Sequence, residues 1–258
     1  MLQHRNLVKL LGFCLEGNER LLVYEFVLNA SLDHFIFDQI KRAQLNWERR
    51  YKIIEGIARG LLYLHEGSRL RIIHRDVKAS NILLDADMNP KISDFGIARL
   101  LDQTQGTTKK LLGPMDTWLR ILEIISGQKN SSFAEGKNNV EDLLSYAWKN
   151  WRERTASNLV DPTLRASATT EILRCIHIGL LCVQENVADR PTMASVVLML
   201  SSYSITLSVP TKPPFLMYNS STRPDMSSQP QNSLEATESD SCVQASANEA
   251  SIIELYPR

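Results

Sequence analysis

His74-Arg75-Asp76-Val77-Lys78-Ala79-Ser80-Asn81, then Ile82-Leu83-Leu84, a turn over Asp87 to Pro90, Lys91-Ile92-Ser93 and Asp94-Phe95-Gly96: this run decides the fold. It sets two carboxylates, an amide, a lysine and an arginine between short apolar stretches that read as strands. Strand ends hold such side chains more rigidly than a free loop does. The residue types suit phosphoryl transfer. Mg²⁺ takes a few hard oxygen ligands and keeps several waters, and Asn81 and Asp94 supply such oxygens. A separate carboxylate must accept the proton of an attacking hydroxyl, the role that falls to Asp76. Lys78 can offset charge on a moving phosphoryl group, and Gly96 lets the backbone turn sharply after Asp94. Taken singly, each residue has a plainer reading: an aspartate in a loop forms a turn, and a histidine packs in a core. Only the set points to chemistry.

Outward from this run the chain alternates strand and helix signals. Lys9-Leu10-Leu11-Gly12-Phe13-Cys14 and Leu21-Leu22-Val23-Tyr24-Glu25-Phe26-Val27 read as strands, the second as a buried one, with a turn at Glu16-Gly17-Asn18-Glu19. Asn46 precedes a long helix with Ile54, Ile57, Ala58, Leu61 and Leu62 on one face and Gly67 as its expected C-terminal cap. Three more apolar stripes follow at helical spacing: Val140, Leu144, Ala147, Trp148 and Trp151; Ile172, Cys175, Ile176, Leu180 and Val183; and Met193, Val196, Val197 and Leu200, the last with Pro191 in its first turn. These stripes are core faces.

Composition bounds the rest. The 258 residues carry 29 Lys+Arg against 29 Asp+Glu, which speaks against a dedicated nucleic-acid or polybasic membrane binder. No apolar run reaches the length of a membrane span, and no signal peptide is visible; a cytoplasmic location is expected. The cysteines at 14, 175, 182 and 242 form no CxxC pair, so zinc-ribbon and thioredoxin readings lack support, and buried free thiols are expected at 175 and 182. From Ser201 onward there are 13 Ser and 6 Pro in 58 residues. Residues 202–258 therefore read as a disordered tail, ending in the more apolar Ile252 to Arg258.

HRDVKASN followed by DFG resembles the catalytic and metal loops of protein kinases. His4-Arg5-Asn6-Leu7 is similar to the loop before the fourth strand of the small lobe, and Ala188-Asp189-Arg190-Pro191 to the loop before the last helix. The lysine two places after Asp76 is the serine/threonine form of the motif. DFGIARLLDQTQG, LEIISGQKN and the closing ELYPR resemble plant receptor-like kinases, nearest the cysteine-rich group. The resemblance covers about residues 1–201 plus the end of the tail. It implies an α+β, protein-kinase-like fold: an N-lobe remnant and hinge over 1–30, a helical C-lobe over 31–201, and the tail over 202–258. It implies ATP and Mg²⁺ as cofactors, with Asp76 as base, Lys78 as phosphoryl clamp, Asn81 and Asp94 on the metal, and adenine held by hinge backbone at Tyr24, Glu25, Phe26 and Val27. Arg75 would read a phosphate on Thr107 or Thr108. Implied partners are protein substrates and other receptor-like kinases.

The sequence also departs from the family pattern. Its 11 glycines form no GxGxxG, and no strand lysine or helix glutamate of the kind that holds the ATP phosphates precedes His4. No APE motif follows DFG: Pro114-Met115-Asp116-Thr117-Trp118 runs into Leu122-Glu123-Ile124-Ile125-Ser126-Gly127, an internal deletion near 114–121 of about twenty residues against the family spacing. Asp116 reads as a turn or cap residue rather than a replacement for the lost aspartate that supports the HRD backbone. Arg190 is expected to lose its partner and turn to solvent. The expectation is a serine/threonine kinase lineage with severely impaired phosphoryl transfer; the alternatives are a non-catalytic, pseudokinase-like binding module and a truncated product without its own function.

Overall fold

The computed structural model describes residues 2–100, 115–130, 142–164, 166 and 169–211, with backbone alone at 115–118. Thr107, Thr108, Val140, Cys242 and the chain beyond Thr211 lie outside these residues, as does the side chain of Asp116.

Strands β1 (Leu10–Glu16) and β2 (Glu19–Tyr24) form an antiparallel hairpin. Its two-residue turn puts Gly17 in the left-handed region at φ 56, which tight hairpins demand of one or both central residues. The expectation of a buried strand over Leu21–Val27 is overturned. The strand stops at Tyr24, Leu21, Leu22 and Val23 are exposed, and Phe26 is 87 % exposed. The physical reason is that this sheet has two strands, and a lone hairpin has no second layer to cover its faces.

After the hairpin the chain zips onto the large lobe. Asn29 N–H donates to Leu84 O (3.0 Å), Leu84 N–H to Ala30 O (2.9 Å) and Leu32 N–H to Ile82 O (2.8 Å). The short α1 (Asp33–Ile36) follows. Helix α2 (Trp47–Leu62) is capped by Asn46, whose Oδ1 accepts from Arg49 N–H. Ile53, Ile54, Ile57, Ala58 and Leu61 of α2 are buried, each large side chain contributing about 1.5–3 kcal/mol. Two glycines interrupt this helix where backbone must come close. A Cβ at Gly56 would lie 2.4 Å from Pro90 Cγ, and one at Gly60 would lie 2.9 Å from Ile92 Cδ1. Gly67 is not the left-handed cap expected of it: the helix runs on through a π-helical turn, Tyr63–Gly67, closed by Ser68 N–H on Tyr63 O at 2.7 Å.

Two small strand pairs are nested around the polar run. β4 (Ile82–Leu84) pairs with β5 (Pro90–Ile92); β3 (Ile72–Ile73) pairs with β6 (Arg99–Leu100) outside them. Four helices complete the described lobe: α3 (Met115–Ser126), α4 (Leu143–Arg152), α5 (Thr169–Cys182) and α6 (Met193–Ser201). Thr192 caps α6, leaving Pro191 one residue outside the helix rather than in its first turn. Cys175 and Cys182 are buried free thiols as expected.

Arg50 ties the helices together from a fully buried position. Its Nε donates to Leu45 O and its Nη1 to Ile124 O, both at 2.9 Å, and its Nη2 reaches Asp161 Oδ2 at 2.7 Å. Arg190 does not turn to solvent. It is buried, and its Nε donates to Gln184 O at 2.7 Å, a backbone partner that no sequence pattern announces. Residues 202–211, tail by composition, run along α5: Arg174 donates to Ser202 O and Ile205 O, and Thr211 N–H donates to Gln184 Oε1.

Candidate active site

The hairpin β4–β5 positions the site. Its register sets Ile82 opposite Ile92, so the next residues outward, Asn81 and Ser93, face each other at its open end. Asn81 O accepts from Ser93 N–H at 2.8 Å and from Ser93 Oγ at 3.0 Å. Asp94 follows Ser93 directly and is thereby brought beside Asn81 in the backbone. β3 and β6 close the outer end, so both loops leave and return on fixed strands.

Asp76, Lys78 and Asn81 form one hydrogen-bonded unit. Asp76 Oδ2 accepts from Lys78 Nζ at 2.7 Å and from Asn81 Nδ2 at 3.0 Å, and Asn81 Nδ2 also reaches Asp76 O at 3.0 Å. The Lys78 hydrogen bond holds the Asp76 carboxyl below its usual range, against the opposing pull of desolvation, and Asn81 adds to the effect. Asp76 is thus ionised at neutral pH, with Oδ2 engaged and Oδ1 available to an acceptor hydroxyl. Asn81 spends its amide nitrogen on Asp76, and among the described residues no hydrogen bond occupies its Oδ1, a hard oxygen.

Asp94 is exposed and its Oδ1 accepts from Gly96 N–H at 3.2 Å. Among the described residues no hydrogen bond links its carboxylate to Asn81 or Lys78. Asp94 (φ 61) and Arg75 (φ 70) are both left-handed non-glycine residues; such strain costs on the order of 1–3 kcal/mol and concentrates at functional sites. The Arg75 residue is exposed, and Thr107 and Thr108, the expected carriers of the phosphate it would read, lie outside the described residues. The Asp94 carboxylate, exposed, and Asn81 Oδ1 are hard oxygens of the kind that fits Mg²⁺, which accepts one or two protein oxygens together with phosphate and water. Among the described residues no cluster of three or more His, Cys, Asp or Glu forms a further metal site.

The hinge residues divide. Glu25 is a strut: its N–H donates to Lys9 O at 2.9 Å, and its Oε1 accepts from Lys9 N–H and Lys91 Nζ, both at 2.8 Å. Tyr24 is the last residue of β2 and is exposed. Phe26 and Val27 follow, and among the described residues no backbone hydrogen bond reaches either.

Three further groups position the site, and the sequence assigned a role to none of them. His74 is fully buried; its Nε2 donates to Ser93 O at 2.9 Å, its Nδ1 accepts from Asp76 N–H at 3.3 Å, and its ring meets Phe95 at 4.9 Å. Burial pushes its pKa down, and the neutral Nε2–H tautomer satisfies both contacts. Lys91 holds the hinge through Glu25. Arg120 of α3 donates from Nε to Val77 O at 3.1 Å and from Nη1 to the buried Glu123 at 3.0 Å, gripping the catalytic loop between Asp76 and Lys78. The histidine stood inside the quoted motif and was legible there. The lysine and the arginine carried no local signal.

This lobe, with its nested strand pairs and polar loops, is that of a protein kinase. A family model, protein tyrosine and serine/threonine kinase, matches residues 1–200, and the chain belongs to that family. Its relatives include cysteine-rich receptor-like protein kinases 29 and 34 of Arabidopsis thaliana, each 50 % identical over the whole of this chain. The chain spans 40 % and 41 % of their lengths, respectively. Among solved structures it is similar to the pseudokinase domain of BIR2, an immune regulator of the RLK/Pelle family, with TM-score 0.64 and 27 % identity over 77 % of this chain and 65 % of that one. Kinases of this family use ATP and Mg²⁺. Among the described residues no helix is long and apolar enough to cross a membrane.

Proposed function

We propose that the chain carries the large-lobe half of an ATP-dependent serine/threonine phosphoryl-transfer site, working on protein substrates in receptor-like kinase signalling on the cytoplasmic side of a membrane. The observation that carries this reading is the Asp76–Lys78–Asn81 unit, joined by the Asn81–Ser93 clamp to the residue before Asp94. Asp76 takes the proton of the acceptor hydroxyl. Lys78 offsets charge on the transferring group. Asn81 and Asp94 would hold Mg²⁺, which supplies charge neutralisation between phosphate oxygens. The backbone of Phe26 and Val27 has free donors and acceptors for an adenine edge. The proposed organisation is a hinge segment over 1–30, a C-lobe over 31–201 and a tail beyond it.

A second reading is a non-catalytic, pseudokinase-like module that binds a protein partner without transfer, favoured by the likeness to a pseudokinase domain. One experiment separates the two. Purified protein is melted with and without Mg-ATP beside Asp94→Ala, and phosphate transfer is measured for the same protein and for Asp76→Asn. A ligand that binds only the folded state raises the midpoint. The first reading expects a rise that Asp94→Ala removes, with transfer that Asp76→Asn lowers by about 10²–10⁴-fold. A cooperative melt without transfer gives the binding module, a missing rise sinks the first reading alone, and no cooperative melt sinks both.

A further inference from the structure

Behind the hinge lies a concavity of about 380 Å³ whose lining includes His4, Arg5, Lys9, Glu25 and Lys91. Its charges do not balance. Lys91 Nζ sits on Glu25 Oε1 at 2.8 Å, and the same oxygen accepts Lys9 N–H at 2.8 Å, so the only carboxylate of the lining is already spent. His4 adds no charge: its Nδ1 accepts from Asn6 N–H at 3.1 Å and its ring stacks on Tyr63 at 5.0 Å, while burial first, then Arg5 and Arg59, push its pKa down. Arg5 and Lys9 are exposed and, among the described residues, neither has an ion-pair partner. Three cations, Arg5, Lys9 and Lys91, thus share one concave site with a single carboxylate, Glu25, which Lys91 and Lys9 both attract, an excess of two positive charges.

We propose that this pocket binds a phosphoryl group carried on a peptide side chain. A phosphorylated side chain brings a charge of roughly −1.5 to −2, which matches that excess, whereas a carboxylate would meet only half of it. The planar fork of Arg5 suits bidentate phosphate binding. The cavity is several times larger than a phosphate ion and has apolar walls at Leu2 and Leu7, room for the side chain and backbone that carry the group. A bound phosphoryl group also competes with Glu25 for Lys91, which couples the pocket to the hinge. This inference goes beyond phosphoryl transfer and does not need it.

The test is a ¹⁵N NMR titration of the full chain with three probes: N-acetyl-O-phosphoserine methylamide, inorganic phosphate, and N-acetyl-glutamate methylamide. The phosphoserine probe should shift the amides of Arg5, Lys9, Glu25 and Lys91 saturably and bind more tightly than the other two. Arg5→Glu/Lys9→Glu, at two exposed positions, should weaken it at least about tenfold, since both charge-assisted contacts are lost and repulsion replaces them. Lys9→Arg should retain binding, and so should Asp94→Ala, which keeps this site distinct from the cleft. Equal binding of the glutamate probe, preference for inorganic phosphate, shifts that persist in the charge-reversed variant, or no saturable shift would each overturn the proposal.

Discussion

His65 is 7 % exposed in the π-helical turn that ends α2, and burial alone pushes its pKa from 6.5 to about 4. The unfolded chain therefore binds this proton at a higher pH than the folded one. Stability from His65 is fully present above 6.5 and is lost as pH falls from 6.5 to about 4. At 1.36 kcal/mol per unit the loss is on the order of 3 kcal/mol. His4, His74 and His177 are displaced in the same direction, so the whole chain loses more than that. Urea midpoints from pH 8 to 4.5 should fall steeply in the native protein and less steeply in His65→Gln; parallel curves would refute the assignment. A second single-residue prediction concerns Arg50 and Asp161, both side chains fully buried at 2.7 Å. Arg50→Met leaves a buried carboxylate without its cation and should cost about 3–5 kcal/mol. Arg50→Met/Asp161→Leu should recover part of that loss, because desolvation of the ions is then avoided. A double variant as unstable as the sum of its singles would show that the charges do not interact.

The hairpin β1–β2 has apolar side chains, and among the described residues nothing covers them. Phe13 and Leu22 face each other across the ladder and are 68 % and 61 % exposed. Exposed apolar edge strands template association with other chains, while exposed positions contribute little to stability. Phe13→Thr/Leu22→Thr should therefore leave the unfolding free energy from urea titration within about 0.5 kcal/mol of the native value and slow aggregation measured by light scattering. A loss of several kcal/mol would mean that the pair is buried in solution. The same element shows where sequence reading stops. An apolar run of strand-forming residues identifies a strand, but burial depends on whether another layer lies over it. Helices were more legible, since Asn46 and the Ile54, Ile57, Ala58 and Leu61 stripe are local signals that needed no partner. Gly67 and Pro191 misled because the composition of a cap does not reveal how the last turn closes, and here Ser68 and Thr192 do the capping.

At the scale of the molecule, what was legible of the site was what lies close in sequence. Asp76, Lys78 and Asn81 fall within one loop, and the turn over Asp87–Pro90 announces the hairpin that returns the chain to Asp94. What was illegible spans long separations: Arg120 on Val77 O across 43 residues, Lys91 on Glu25 across 66. Such contacts exist only once helices and strands have packed. The described lobe should therefore be uneven in stability. The core gathers on α2 and α5, where Ile53, Ile54, Ile57, Ile176 and Leu180 are 0–1 % exposed, whereas among the described residues the hairpin amides are held by each other. Regions with few buried apolar contacts open at low free energy, and core helices open only with the whole fold. Native-state hydrogen exchange should thus show fast exchange over Gly12–Leu22 and the slowest exchange over Ile53–Leu61 and Ile172–Leu181. In low urea the two sets should differ in slope, since local opening of the hairpin exposes little new surface and so responds weakly to denaturant. If hairpin and α2 amides exchange with one free energy and one slope, the hairpin belongs to the same cooperative unit as the core, and its exposed face must then be covered in solution.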